Sequence, residues 1–173
     1  MRRQSYLFVF LCCMTTVITA QGVNTNALDF NSNNVVSTST GISDLDITGN
    51  MTIEFWIKIP AISTMNNQWC SIISKIQDNS KRTYAVWLYG GTNASTSDRG
   101  KILWQGWTSS TTANHNHNVV STTSLSPNLW YHIAVTRQVN GLARIYINGA
   151  EESSAPFLGV PASTVSIPKK QTV

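Results

Sequence analysis

The segment 130–150, WYHIAVTRQVNGLARIYINGA, leaves this chain few ways to fold. Within it Trp130, His132, Ala134 and Thr136 alternate with Tyr131, Ile133, Val135 and Arg137, and a period of two gives a strand two distinct faces. Asn140-Gly141 supplies a turn, because Gly takes positive φ without steric cost and Asn tolerates it better than most residues. The chain then returns as a second strand over 143–148. Asn148-Gly149 repeats the device, so the segment predicts a β-meander.

The rest of the chain has the same character. Short strands are expected over 27–30 and 34–39, separated by NSNN, a cluster that favours turns. The strongest strand is 51–59, MTIEFWIKI, with Ile53, Phe55, Ile57 and Ile59 on one face and Thr52, Glu54, Trp56 and Lys58 on the other. Pro60 ends it, since proline lacks the amide proton that a continuing ladder needs. Further strands are expected over 71–77, 83–89, 101–107 and 119–125, with QDNSK, GGTNASTSDRG and SSTTANHNHN as loops between them. No stretch holds a helical apolar period over three turns. Strands that each need an apolar face covered predict an all-β chain, packed as a two-sheet sandwich.

Residues 1–20 stand apart. Arg2 and Arg3 precede an apolar run over 6–14, and Ile18-Thr19-Ala20 ends in a small residue, which predicts a signal peptide cleaved after Ala20. The run is shorter than the about 20 residues of a spanning helix, so export without a membrane span is expected. Cleavage reduces Lys and Arg from 12 to 10 against 8 Asp and Glu, a net charge of +2. Without a cluster of basic residues there is nothing to neutralise phosphates, and no nucleic-acid partner is expected. Cys12 and Cys13 leave with the signal. Cys70 remains, expected as a buried thiol that packs as a small apolar residue; pairing with a cysteine on another chain is the alternative.

Three ordered motifs carry a resemblance: Phe30 in ALDF; Thr52, Ile53, Trp56 and Lys58 in ITGNMTIEFWIKI; and Trp130, His132, Ala134, Val135, Thr136, Tyr146, Asn148 and Gly149 in LWYHIAVTRQVNGLARIYINGA. They resemble the laminin-G-like branch of the concanavalin A-like lectin and glucanase superfamily over about 27–149. The resemblance implies an antiparallel jelly-roll sandwich of two sheets. It also implies a domain over 21–158, followed by an irregular tail over 159–173. The family's usual closing strand has no match here: Pro156, Pro161 and Pro168 allow at most one more edge strand. A missing closing strand would leave an unpaired edge, which is a template for association.

The superfamily includes glycoside hydrolases, whose two carboxyls must stand close together. No Glu-x-Asp-x-Glu run occurs; Asp44 and Asp46 lie in a loop, and the adjacent Glu151 and Glu152 would point to opposite faces. No enzyme is expected. His115 and His117 lie in a polar loop without a third ligand, so zinc is not expected either. Calcium is the ion that the resemblance implies, held by Asp and Asn oxygens at a sandwich edge, although its ligand positions have no match in this sequence. His132, with no nucleophile motif, reads as a hydrogen-bonded structural residue.

Six tryptophans suit sugar binding, because aromatic faces stack on pyranose rings. Trp56 and Trp130, part of the family motifs, are expected to be packing residues. Trp87, Tyr89, Trp104 and Trp107, with Asn114 and Asn116, form the candidate ligand surface. Asn50-Met51-Thr52 and Asn93-Ala94-Ser95 are N-glycosylation sequons. The reading is a secreted, non-enzymatic recognition module for glycan or protein; the alternatives are a glycoside hydrolase and an adhesion module from a larger extracellular protein.

Overall fold

Eight strands carry the alternation through the computed structural model, which describes residues 45–62, 69–78, 81–90, 97–108 and 116–162, all within one compact unit. They are β1 (Met51–Lys58), β2 (Trp69–Asp78), β3 (Lys81–Tyr89), β4 (Lys101–Trp107), β5 (Asn116–Ser124), β6 (Trp130–Arg137), β7 (Gly141–Ile147) and β8 (Ala150–Phe157). The strands expected over 27–30 and 34–39 lie outside the described residues. Two antiparallel four-stranded sheets result, ordered β1-β6-β7-β8 and β2-β3-β4-β5. This is the all-β sandwich that the sequence predicts, and no α-helix occurs among the described residues.

The meander forms with one adjustment. Asn148 and Gly149 both take positive φ, 52° and 83°, so a two-residue turn links Ile147 directly to Ala150. At the first turn only Asn140 is left-handed, at φ 55°, and Gly141 already belongs to β7. The turn therefore runs over 138–141, closed by the Gly141 amide donating to the Gln138 carbonyl at 3.1 Å. The single additional strand allowed by the prolines is β8, an edge strand paired with β7, with Pro156 inside it. Beyond it, Pro161 bridges Thr108, and the Ala162 amide donates to the Trp107 carbonyl at 2.7 Å, so the chain stays on the sandwich.

Between the sheets, Ile133, Val135, Ala143, Ile145 and Phe157 from one meet Val86, Leu88, Ile102, Trp104 and Val119 from the other. Trp104 is fully buried, its ring edge-on to Phe157 at 5.5 Å. Gly106 has no side chain for a reason of space: a Cβ there would stand 2.7 Å from the Trp104 ring. His117 is not in a loop, as expected, but in β5, with its ring 4.6 Å from Phe157. Cys70 packs against this core as an apolar residue, and burial raises the pKa of its thiol.

Two polar devices join the sheets. Arg137 is 2% exposed at the end of β6, donating from Nη1 to the Thr83 carbonyl at 3.0 Å and from Nη2 to the Ile47 and Gly49 carbonyls, both at 2.6 Å. Burial pulls its pKa down to about 10, with a smaller opposing effect from Tyr84, so it stays charged at neutral pH. Glu152 of β8 accepts from the Thr123 amide at 2.8 Å and from the Thr122 and Thr123 hydroxyls at 2.5 and 3.0 Å, tying β8 to β5.

Arg137→Met strands three carbonyls and is expected to cost about 3 kcal/mol or more in urea unfolding, with Arg137→Lys intermediate. An unchanged unfolding midpoint would refute the tether. For Glu152, burial raises the pKa, and the Thr122 and Thr123 hydrogen bonds more than offset this, so the carboxyl titrates below its ordinary value. Its stabilisation is present above the ordinary carboxyl range and is lost as pH falls through the folded value. Glu152→Gln should therefore lower the melting temperature near pH 6 and flatten its fall towards pH 3; parallel curves would show that Glu152 contributes nothing.

Candidate binding face

Because Ile53, Phe55 and Ile57 pack inward, Thr52, Glu54, Trp56 and Lys58 must face outward from β1. The register sets Thr52 opposite Thr136, Glu54 opposite Ala134, Trp56 opposite His132 and Lys58 opposite Trp130. Trp56 is 60% exposed and Trp130 is 49% exposed. The reading of these two as packing residues is thus corrected: they are the large aromatics of an open sheet face, diagonal neighbours about 7–8 Å apart.

Each ring has a polar partner. The Trp56 and His132 rings lie 5.3 Å apart at 54°, and His132 Nε2 is 3.7 Å from Glu54 Oε2. Lys58 Nζ stands 5.5 Å from the Trp130 ring centre. The His132 backbone is held by Asn148, whose Oδ1 accepts from the His132 amide at 2.9 Å while the Asn148 amide donates to the His132 carbonyl at 2.8 Å. The same turn that reverses the chain therefore fixes the aromatic end of the face. At the opposite end, Asn50, Thr52, Thr136, Gln138 and Arg144 line a shallow polar groove. Arg144 Nε lies 3.5 Å from Glu151 Oε2.

The residues singled out from sequence separate. Trp87, Tyr89, Trp107 and Asn116 do share the outer face of the other sheet, through the pairs Trp87 with Leu103 and Trp107 with Asn116. Trp104 does not. It stands three residues from Trp107 on one strand and so points to the opposite face, into the core, where no ligand reaches it. Ala85 and Leu103, at the middle of that outer face, are themselves buried, so the centre of the face is closed to solvent. Tyr89 packs on Trp69 at 4.4 Å. Asn114 and Asn93 lie outside the described residues.

Among the described residues no three of His, Cys, Asp and Glu gather as a metal site. Asp46 accepts from the Thr83 hydroxyl at 2.8 Å, and Asp98 pairs with Lys101 at 3.1 Å.

A family model of the laminin-G type, described as the concanavalin A-like lectin/glucanases superfamily, matches residues 30–168. The chain belongs to this superfamily. The matched range takes in all eight strands among the described residues. No curated protein matches the chain. Among solved structures, the binding domain of botulinum neurotoxin serotype G is similar at 24% identity and a TM-score of 0.48, covering 68% of this chain and 27% of that one.

Trp56→Ala and Trp130→Ala are expected to change stability by only about 0.5 kcal/mol, as exposed side chains do. Trp104→Ala should cost about 3–5 kcal/mol through the cavity it leaves. Equal losses in chemical denaturation would contradict the assignment of open and buried tryptophans.

Proposed function

We propose that the chain is a secreted, non-enzymatic recognition module that binds carbohydrate on the outer face of the β1-β6-β7-β8 sheet. The observation that carries this reading is the exposure of Trp56 and Trp130 side by side on a regular sheet, flanked by Glu54, Lys58 and His132. Exposed indoles offer flat apolar area to the faces of pyranose rings, and charged or imidazole groups beside them can bond the ring hydroxyls. The strands hold the rings at fixed spacing, so little order has to be imposed on binding. Membership of a superfamily of lectins and glucanases agrees with a sugar ligand. The signal-like residues 1–20 support export, and no helix among the described residues is long and apolar enough to cross a membrane.

Carboxylate placement favours binding over hydrolysis. On the outer face, Glu54 and Glu151 fall in one row, but on β1 and β8 they are three strand spacings apart, about 14 Å. Glycoside hydrolysis needs about 5–9.5 Å. Glu152 is turned to β5 and Asp46 is bound by Thr83.

The test is a glycan array followed by calorimetric titration of the best hit. Trp56→Ala and Trp130→Ala should each weaken binding by about 3- to 10-fold, the value of one aromatic contact, while Trp87→Ala has no effect. An array without hits, together with a protein captured through the same two tryptophans, would replace the sugar by a protein ligand. Release of shorter sugars from the bound oligosaccharide would restore the hydrolase.

A further inference from the structure

The sequon Asn50-Met51-Thr52 lies at the polar end of the outer face and plays no part in the reading above. Asn50 is exposed immediately before β1, and Thr52 is exposed on the first turn of the ladder. The Asn50 side chain is oriented: its Oδ1 accepts from the Val139 amide at 2.9 Å, on the turn that joins β6 to β7. A planar amide held by its oxygen sends its nitrogen the other way. Asn50 also lines the shallow groove with Thr52, Thr136, Gln138 and Arg144, whose hydroxyl, amide and guanidinium groups suit the hydroxyls of a sugar.

We propose that Asn50 is an N-glycan acceptor and that its glycan leaves the protein through this groove. Asn50 Nδ2 attacks the anomeric carbon of a lipid-linked oligosaccharide diphosphate. The new N–C bond forms as the C–O bond to the diphosphate breaks, the lipid diphosphate leaves with the electron pair, and the amide proton passes to base. Acceptance needs the Thr hydroxyl two residues on, and Thr52 supplies it. In the folded chain nothing has to move to make room, because the groove opens to solvent. Asn50 and Trp56 are six residues apart along β1, about 20 Å, so the first sugars cover the Thr136 and Arg144 end of the face and leave the aromatic end clear.

The inference uses only the export of the chain and is independent of what Trp56 and Trp130 bind. The full chain, Met1 to Val173, is expressed in a eukaryotic secretory cell, and the product in the medium is mapped by peptide mass spectrometry before and after peptide-N-glycosidase treatment. A glycan on the peptide that contains Asn50 is expected. Thr52→Ala should remove it while leaving the Asn50 to Val139 hydrogen bond in place, and Thr52→Ser should retain it. A glycan confined to Asn93, or an exported chain bare at Asn50, overturns the proposal and leaves the recognition reading intact. A chain retained in the cytosol without a glycan overturns both the proposal and export.

Discussion

The two sheets meet at a buried charge. Arg137 ends the inward row of β6 that begins with apolar side chains, and its guanidinium reaches across the core to a carbonyl of β3 and to two carbonyls of the segment leading into β1. Its ring contact is Phe157, 5.5 Å away, at the end of β8. One side chain thus touches both sheets and the start of the domain's first described strand. A lysine offers three donors from a single nitrogen, whereas the guanidinium spreads its donors over a planar fork that serves carbonyls arriving from different elements. Carbonyls rather than a carboxylate receive the charge, and burial lowers its pKa against only a smaller opposing effect from Tyr84. The same end of the sandwich is reinforced by Thr83 bound to Asp46 and by Tyr84 bound to the Leu45 carbonyl at 3.2 Å.

With the sheets held in this way, each strand has one face committed to the core, and what remains outside becomes available for recognition. The two outer faces differ. On β2-β3-β4-β5 the aromatic residues surround positions that are themselves closed to solvent, whereas on β1-β6-β7-β8 two tryptophans stand open beside charged and polar groups. The open face divides into an aromatic end near Lys58 and a polar end near Asn50, fixed by opposite turns of the meander. Asn148 braces the first, and the 138–141 turn braces the second through Val139. Turn residues that look like simple chain reversals therefore also set the geometry of the outer surface.

Much of this was legible in the residues. Period-two alternation and Asn-Gly pairs placed β1, β6 and β7 to within two residues at each end, because strand faces and tight turns depend on local backbone geometry. The candidate surface was legible only in part. Trp87, Tyr89, Trp107 and Asn116 share a face, but β4 has Leu103 buried on its outer side as well as Ile102 and Trp104 on its inner side, so its alternation is blurred and Trp104 could be grouped with Trp107. The parity of three residues separates them. Trp56 carried the opposite signal: it alternates with Ile53, Phe55 and Ile57 and shares a face with Glu54 and Lys58, which already points outward. Its place in a family motif hid this, since a recurring tryptophan reads first as packing. Glu152 gave no local sign, because its partners Thr122 and Thr123 lie about thirty residues away on another sheet.

Sequence by itself determined the extents of β1, β6 and β7, the alternation of β1 and β6, the Asn-Gly turns, the superfamily and the sequon at Asn50. These follow from backbone preferences and short-range spacing, which the chain carries before it folds. Only the tertiary structure decided which outer face stays open, that Trp104 is core, and that Arg137 and Glu152 join the sheets. Burial and cross-sheet bonding depend on what packs against a residue from far along the chain, and no local pattern records that.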